Sequence, residues 1–242
     1  MDKKTADELL AKSRENYDNF SEAFARTRNY TWPDIALLAA GNFKAGDRIL
    51  DVGCGNGRFY PLFKDRGAEY AGVDNSENLI AIARKNFPGV GFTVADALSL
   101  PFGENEFDLV LSLAVLHHIP SQSYRRAFFD QAWRVLKPGG RLMVTSWDLR
   151  PLSMIKTRQW KRLRGFLKMQ IKIALGLEKL DFGDFYIPWQ NKYQRYVHSF
   201  TCRDLEKLAQ SAGFKIEKTG VGALGSKEGN LYIVAKKCEK KM

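Results

Sequence analysis

The chain has 242 residues, enough for one α/β domain with decorations or at most two small ones. No apolar run reaches the length of a membrane span, and the charged start Met1-Asp2-Lys3-Lys4 leads into no signal-peptide core, so neither a spanning nor a secreted protein is expected. Three cysteines without a Cys-x-x-Cys pair point to a reducing, cytoplasmic setting and away from structural zinc, and a net charge of +11 points to an anionic partner, nucleic acid or a lipid surface.

Residues 4–27 read as helical, with Leu9, Leu10, Tyr17, Phe20 and Phe24 along one face, as in a lid packed on a domain. Arg28 follows, either a solvated surface charge or a cation reaching a carboxylate. Trp32-Pro33 then forces an extended bend before a short helix over Asp34 to Ala40.

Arg48 to Gly57 is the most informative stretch. Ile49, Leu50 and Val52 suit a buried parallel strand, and Gly53, Gly55 and Gly57 follow where the chain must turn and a ligand must approach the backbone. The spacing Gly-x-Gly-x-Gly, with Asp51 beside it, differs from the Gly-x-Gly-x-x-Gly of dinucleotide sites. A carboxylate there repels phosphate and suits a cationic ligand, such as the ammonium end of S-adenosylmethionine (SAM). Tyr70 to Val73 is a second strand ending in Asp74, placed to accept hydrogen bonds from both hydroxyls of a ribose. Phe92 to Val94 is a third, ending in Ala95-Asp96-Ala97, placed to meet an exocyclic amine.

The fourth strand, Leu109 to Ser112, leads into Ala114-Val115-Leu116-His117-His118-Ile119-Pro120, a loop at the carboxyl end of the sheet where ligands bind. Two adjacent histidines do not both face one pocket comfortably, and His118 is the better site candidate. Neither has the partners of a metal ligand, and no metal site is expected. Ser123 to Leu136 is an amphipathic helix covering the sheet, stopped by Lys137-Pro138-Gly139-Gly140, and Leu142 to Thr145 is the fifth strand.

From Leu149 to Leu177 there are eight basic residues and no acid. Trp160, Leu163, Leu167, Ile171 and Ala174 step at helical intervals, with a break conceivable at Gly165. The segment reads as a basic amphipathic helix for nucleic acid or a membrane surface, against a plain alternative of docking on the core with a solvated cationic side. Phe182 to Phe200 is dense in aromatics interspersed with Arg195 and His198, a composition suited to stacking splayed bases. Thr201 caps a helix over Arg203 to Ala212, Gly213 stops it, and two last strands follow, Phe214 to Lys218 and Leu231 to Lys236. The tail to Met242 is expected to be mobile.

The glycine turn followed by three acidic strand ends, continuing through Phe107-Asp108-Leu109-Val110 and Arg134-Val135-Leu136-Lys137-Pro138-Gly139-Gly140, strongly resembles the SAM-dependent methyltransferases. The resemblance implies an α/β, Rossmann-like, seven-stranded, mostly parallel sheet with an antiparallel last strand. It implies one domain with a helical cap at 1–43, a SAM-binding core at 44–148, a basic and aromatic insertion at 149–190, and the C-terminal helix and strands at 191–242. It implies SAM as cofactor, held by Asp51, Gly53, Cys54, Gly55 and Gly57, by Asp74 and Asn75, and by Asp96, Ala97 and Leu113.

Tyr17, Phe24-Ala25-Arg26-Thr27-Arg28, Trp32-Pro33, His117-His118, Trp147, Ile187-Pro188-Trp189 and Arg195-Tyr196-Val197-His198 occur in one order. These flanks resemble the tRNA wobble-uridine methyltransferases that esterify 5-carboxymethyluridine. By that resemblance Arg28, His118, Arg195, Tyr196 and His198 belong to the substrate pocket, tRNA is the partner, and a small zinc-binding activator protein accompanies the enzyme. Two other readings are a small-molecule methyltransferase acting on a quinone- or lipid-like acceptor at a membrane surface, and a non-catalytic SAM- and RNA-binding regulatory subunit.

Overall fold

The structure, a computed structural model, describes residues 1–28, 38–39, 41–190, 192–222 and 229–238. The bend at Trp32-Pro33, most of the helix expected over Asp34 to Ala40 and the end of the tail lie outside the described residues.

Seven strands form one sheet: β1 (Arg48–Val52), β2 (Glu69–Asp74), β3 (Gly91–Val94), β4 (Phe107–Leu113), β5 (Leu136–Trp147), β8 (Phe214–Gly222) and β9 (Asn230–Lys237). Their order across the sheet is β3-β2-β1-β4-β5-β9-β8. The strands from β3 to β5 pair in parallel, and β9 runs antiparallel to both of its neighbours. The order reverses next to β1, where β2 lies on one side and β4 on the other, so the carboxyl end of β1 opens onto the crevice where such sheets bind ligands.

β1 is covered on both faces, which is why it reads as a nearly continuous apolar run. Successive side chains alternate: Leu50 joins Phe128, Phe129 and Val144 on one side, and Ile49 joins Phe63, Leu109 and Met143 on the other. The cap helix α1 (Lys3–Asn19) starts at Asp2, whose carboxylate accepts the Thr5 N–H at 2.8 Å, a cap contributing about 1 kcal/mol. At its far end the Asp18 carboxylate accepts the Ser76 hydroxyl at 2.6 Å, at the start of the helix that follows β2. A short second helix (Ser21–Thr27) then carries Phe24 and leads to Arg28.

Two elements differ from the sequence reading. The aromatic stretch, read as suited to stacking bases and given no strands, is a two-stranded hairpin, β6 (Asp184–Trp189) against β7 (Tyr193–His198). Its alternation supplies a small core of its own, Phe185, Ile187 and Val197 with Leu149. The basic segment is two helices, Pro151–Lys156 and α7 (Trp160–Ala174), and α7 runs unbroken through Gly165.

Candidate active site

Gly53 and Gly55 open the site. Both sit at positive φ, +80° and +56°, a conformation that costs glycine nothing. The Gly53 and Cys54 N–H groups bond back to the Val73 carbonyl at 2.7 and 3.0 Å, folding the turn under the tip of β2. There Asp74 accepts the Gly55 N–H at 2.9 Å and the Ser76 N–H at 3.0 Å. Burial raises its pKa against those two backbone bonds.

Above this turn lies a cavity of about 370 Å³. Along one side it is lined by Gly53, Cys54, Gly55, Asp74 and Asn75, then Asp96 and Ala97. Leu113, His118, Trp147, Arg195, Trp189 and Arg28 also line it, with Tyr17 and Phe24 brought in from the cap. The size fits a small-molecule site.

Arg195 is the central charge. It is only 6% exposed, and its guanidinium lies over the Trp147 ring at 4.9 Å and the Trp189 ring at 4.8 Å. Burial lowers its pKa, with the Tyr17 phenol acting in the opposite sense, yet an arginine keeps its charge. Its Nε and the Nε1 of Trp189 are both buried without an acceptor among the described residues. No carboxylate forms an ion pair with Arg195 there either. A buried cation with spare donors is costly unless an anion arrives to meet it.

His118 is held rather than free. Its Nδ1 lies 2.9 Å from the Tyr196 carbonyl, which can only accept, so Nδ1 carries the hydrogen. Nε2 therefore accepts from the Tyr17 hydroxyl, also at 2.9 Å. Burial and the Arg195 charge push its pKa down to about 3, so the ring stays neutral. His117 is fully buried against Trp147, with ring centroids 4.3 Å apart.

Four expected site residues lie off the cavity wall. Asp51 accepts the Tyr70 hydroxyl at 2.7 Å, and burial pushes its pKa up to about 6. A Cβ on Gly57 would meet Phe92 Cζ at 2.8 Å, so this glycine serves close packing. Tyr196 and His198 alternate with Arg195 on β7 and face the opposite side. There the buried Asp184 carboxylate accepts the Tyr196 hydroxyl at 2.7 Å, the His198 Nδ1–H at 2.6 Å and the Arg125 guanidinium at 3.2 Å. That network anchors the hairpin to the helix Gln122–Val135 and so fixes where Arg195 stands.

Sequence reasoning missed Trp147 and Trp189 as walls of the cavity, and Asn56, Arg162 and Asn230 as lining residues. The position of Trp147 at the carboxyl end of β5 was a usable signal. Asn230 is brought in by pairing with Trp147 across β5 and β9, which no local pattern announces.

The cavity suits SAM. Asp74 keeps lone pairs free for a ribose, and a Cβ at Gly55 would meet only the edge of Phe24, at 3.5 Å, so the space over the turn is open. Asn56 Oδ1 is buried without a donor among the described residues.

A methyltransferase domain family matches residues 50–144. An Arabidopsis thaliana tRNA (carboxymethyluridine(34)-5-O)-methyltransferase is 37% identical over 131 residues, 54% of this chain but 31% of that protein. The chain thus spans less than a third of that relative. A protein of Encephalitozoon cuniculi named as a methyltransferase is 30% identical over 223 residues, 91% of this chain and 93% of that one. A Schizosaccharomyces pombe tRNA (carboxymethyluridine(34)-5-O)-methyltransferase is 26% identical and is covered over 94% of its length, against 91% of this chain. Among solved structures, a SAM-dependent methyltransferase of Methanosarcina mazei superposes with TM-score 0.71 at 23% identity, over 84% of this chain and 98% of that one. The methyltransferase partner in a complex with the Haloferax volcanii Trm112 activator superposes with TM-score 0.67 at 16% identity, over 95% and 99%. These two likenesses concern the fold. The chain belongs to the SAM-dependent methyltransferases of Rossmann-like fold, and among them it resembles the tRNA carboxymethyluridine methyltransferases.

Proposed function

We propose that this chain methylates the carboxylate of a 5-carboxymethyluridine-type wobble base in tRNA. The observation that carries the reading is Arg195, a buried cation between Trp147 and Trp189 whose Nε has no acceptor among the described residues. An acceptor bringing its own negative charge completes it by charge-assisted hydrogen bonding.

The cofactor's place would be against Gly53 and Gly55, with Asp74 toward the ribose and Asp96 and Ala97 toward the adenine. Bound there, SAM supplies an electrophilic methyl group on a sulfonium. Arg195 orients the acceptor carboxylate, the two tryptophan rings exclude water around it, and alignment of the attacking oxygen provides most of the catalysis. No side chain has to take a proton, because a carboxylate is already ionised at neutral pH. The neutral His118 fits that scheme: with Nδ1–H given to a carbonyl and Nε2 receiving Tyr17, it positions the cap and acts as no base. Arg28, 5.7 Å from the Trp189 ring, is the second cation available to the anticodon strand.

Partners belong to the same reading: tRNA as substrate, and a small activator protein of the Trm112 kind as a subunit. The test is methyl transfer to tRNA carrying carboxymethyluridine beside the same tRNA carrying unmodified uridine. Transfer confined to the first supports the reading. Equal transfer to both, or none with the activator present, removes it.

A further inference from the structure

α7 uses only part of its circumference to hold on to the molecule. Leu163 is buried, and Phe166 and Met169 pack on the hairpin core, the Phe166 ring meeting Phe185 at 5.3 Å. Gln170 donates to the Asp184 carbonyl at 2.9 Å and accepts the Gly183 N–H at 2.8 Å. That face is fully used.

The flank bordering that face, one turn on from Leu163, is apolar and uncovered. Trp160, Leu167, Ile171 and Leu175 recur at steps of seven, four and four, which places them in one stripe. They are 51%, 48%, 61% and 67% exposed. Of the ten large apolar side chains exposed among the described residues, seven fall between Leu152 and Leu177. Scattered singly they would mean nothing; Trp160, Leu167 and Ile171 share one side of α7, with Leu175 at its cap, and so many in one short segment mark a surface that meets something. Beside this stripe runs a row of exposed cations, Lys161, Arg164 and Lys168, in a segment without an acid.

The pairing of the two rows selects the partner. A nucleic acid would use the cations, but stacking needs aromatic planes and the stripe offers only Trp160. A bilayer interface uses both rows together: aliphatic side chains enter the boundary between headgroups and acyl chains, and lysines lie at the level of anionic headgroups. No helix among the described residues is long and apolar enough to cross a membrane, so the contact is interfacial.

We propose that the outward face of α7, with Trp160, Leu167 and Ile171 inserted and Lys161, Arg164 and Lys168 on the headgroups, docks this methyltransferase reversibly on anionic lipid bilayers. Arg162, which lines the cavity, lies on the far side of the helix from Ile171, since nine residues make two and a half turns. Docking therefore leaves the cavity free, and the proposal holds whatever the methyl acceptor is.

The test is co-sedimentation of the full chain with phosphatidylcholine vesicles, with and without phosphatidylserine. Two double variants change exposed residues only, Leu167→Gln with Ile171→Gln, and Lys161→Gln with Lys168→Gln, and unchanged thermal melting verifies their folding. Binding is expected with phosphatidylserine and not without it, and each double variant is expected to weaken it on the order of tenfold or more. Tryptophan emission should shift to the blue on binding, and less so in Trp160→Phe. Absence of vesicle binding overturns the proposal, as does binding indifferent to Leu167 and Ile171. Loss of tRNA affinity in the lysine variant with no vesicle binding in the wild type assigns the face to RNA instead.

Discussion

The Tyr17 hydroxyl donates to Nε2 of His118 across 2.9 Å, joining the cap helix to the loop at the carboxyl end of β4. Because the Tyr196 carbonyl fixes the other nitrogen of the ring, this bond is single-valued in direction. It closes the cap over the cavity. Tyr17→Phe should leave the fold intact, cost about 1 kcal/mol in denaturant unfolding, and raise amide exchange in residues 3–27 more than in the sheet. Equal exchange in cap and sheet would remove the latch role.

His118 also makes a pH prediction. Its folded pKa of about 3 lies below the 6.5 of an ordinary histidine, so the unfolded chain takes up a proton first as pH falls. Its contribution to stability is complete above pH 6.5 and is lost as pH falls toward 3, at up to about 1.4 kcal/mol per pH unit. Asp51 works the other way: with its pKa raised to about 6, the folded state gains relative stability as pH falls through 6 toward 3.8. The comparison that isolates His118 is urea unfolding of wild type and His118→Gln at several pH values. The gap between them should narrow steadily below pH 6.5, and a constant gap would refute a neutral buried ring.

Asp74 and Gly55 should govern the cofactor. On the proposed placement of the cofactor, Asp74→Ala removes the side-chain acceptor expected at the ribose, and a weakening of SAM binding of about a hundredfold is expected by calorimetry. Gly55→Val fills the open space over the turn at a positive φ and should abolish binding. Unchanged affinity in both folded variants would move the cofactor elsewhere.

Much of this fold was legible because its signals are local. A strand ending in Asp51-Val52-Gly53 and another ending in Asp74 are short patterns, and the sheet brings their ends together. The hairpin was not legible in the same way. Its aromatics suggested stacking, whereas pairing puts Phe185, Ile187 and Val197 into a private core and turns Tyr196 and His198 toward Asp184. Three neighbouring polar residues in a strand cannot share one face, so only Arg195 reaches the cavity. Of the tryptophan walls around it, Trp189 is a hairpin neighbour, but Trp147 comes from β5, which is distant in sequence from β7 and meets Arg195 only in three dimensions. Likewise, the helical step of Trp160, Leu167 and Ile171 says that they share a face but not that the face is uncovered.

Asp184 should matter through Arg195. Its side chain is fully buried and paired with Arg125, which is also buried, so Asp184→Ala strands a cation in the interior and should cost about 3–5 kcal/mol of stability. At a temperature where the variant remains folded, turnover should fall while SAM affinity holds. A variant of wild-type stability would mean that the hairpin is anchored by other contacts.

The central claim is that the nucleophile is a carboxylate received by Arg195. Radiolabelled methyl is transferred from SAM to tRNA carrying carboxymethyluridine, and the product is treated with alkali. Arg195→Ala should depress incorporation by about a hundredfold or more without changing SAM affinity, and the wild-type label should be released as volatile methanol, as a methyl ester requires. Label that survives alkali, on carbon, nitrogen or an ether oxygen, would contradict the carboxylate mechanism even with tRNA as the substrate.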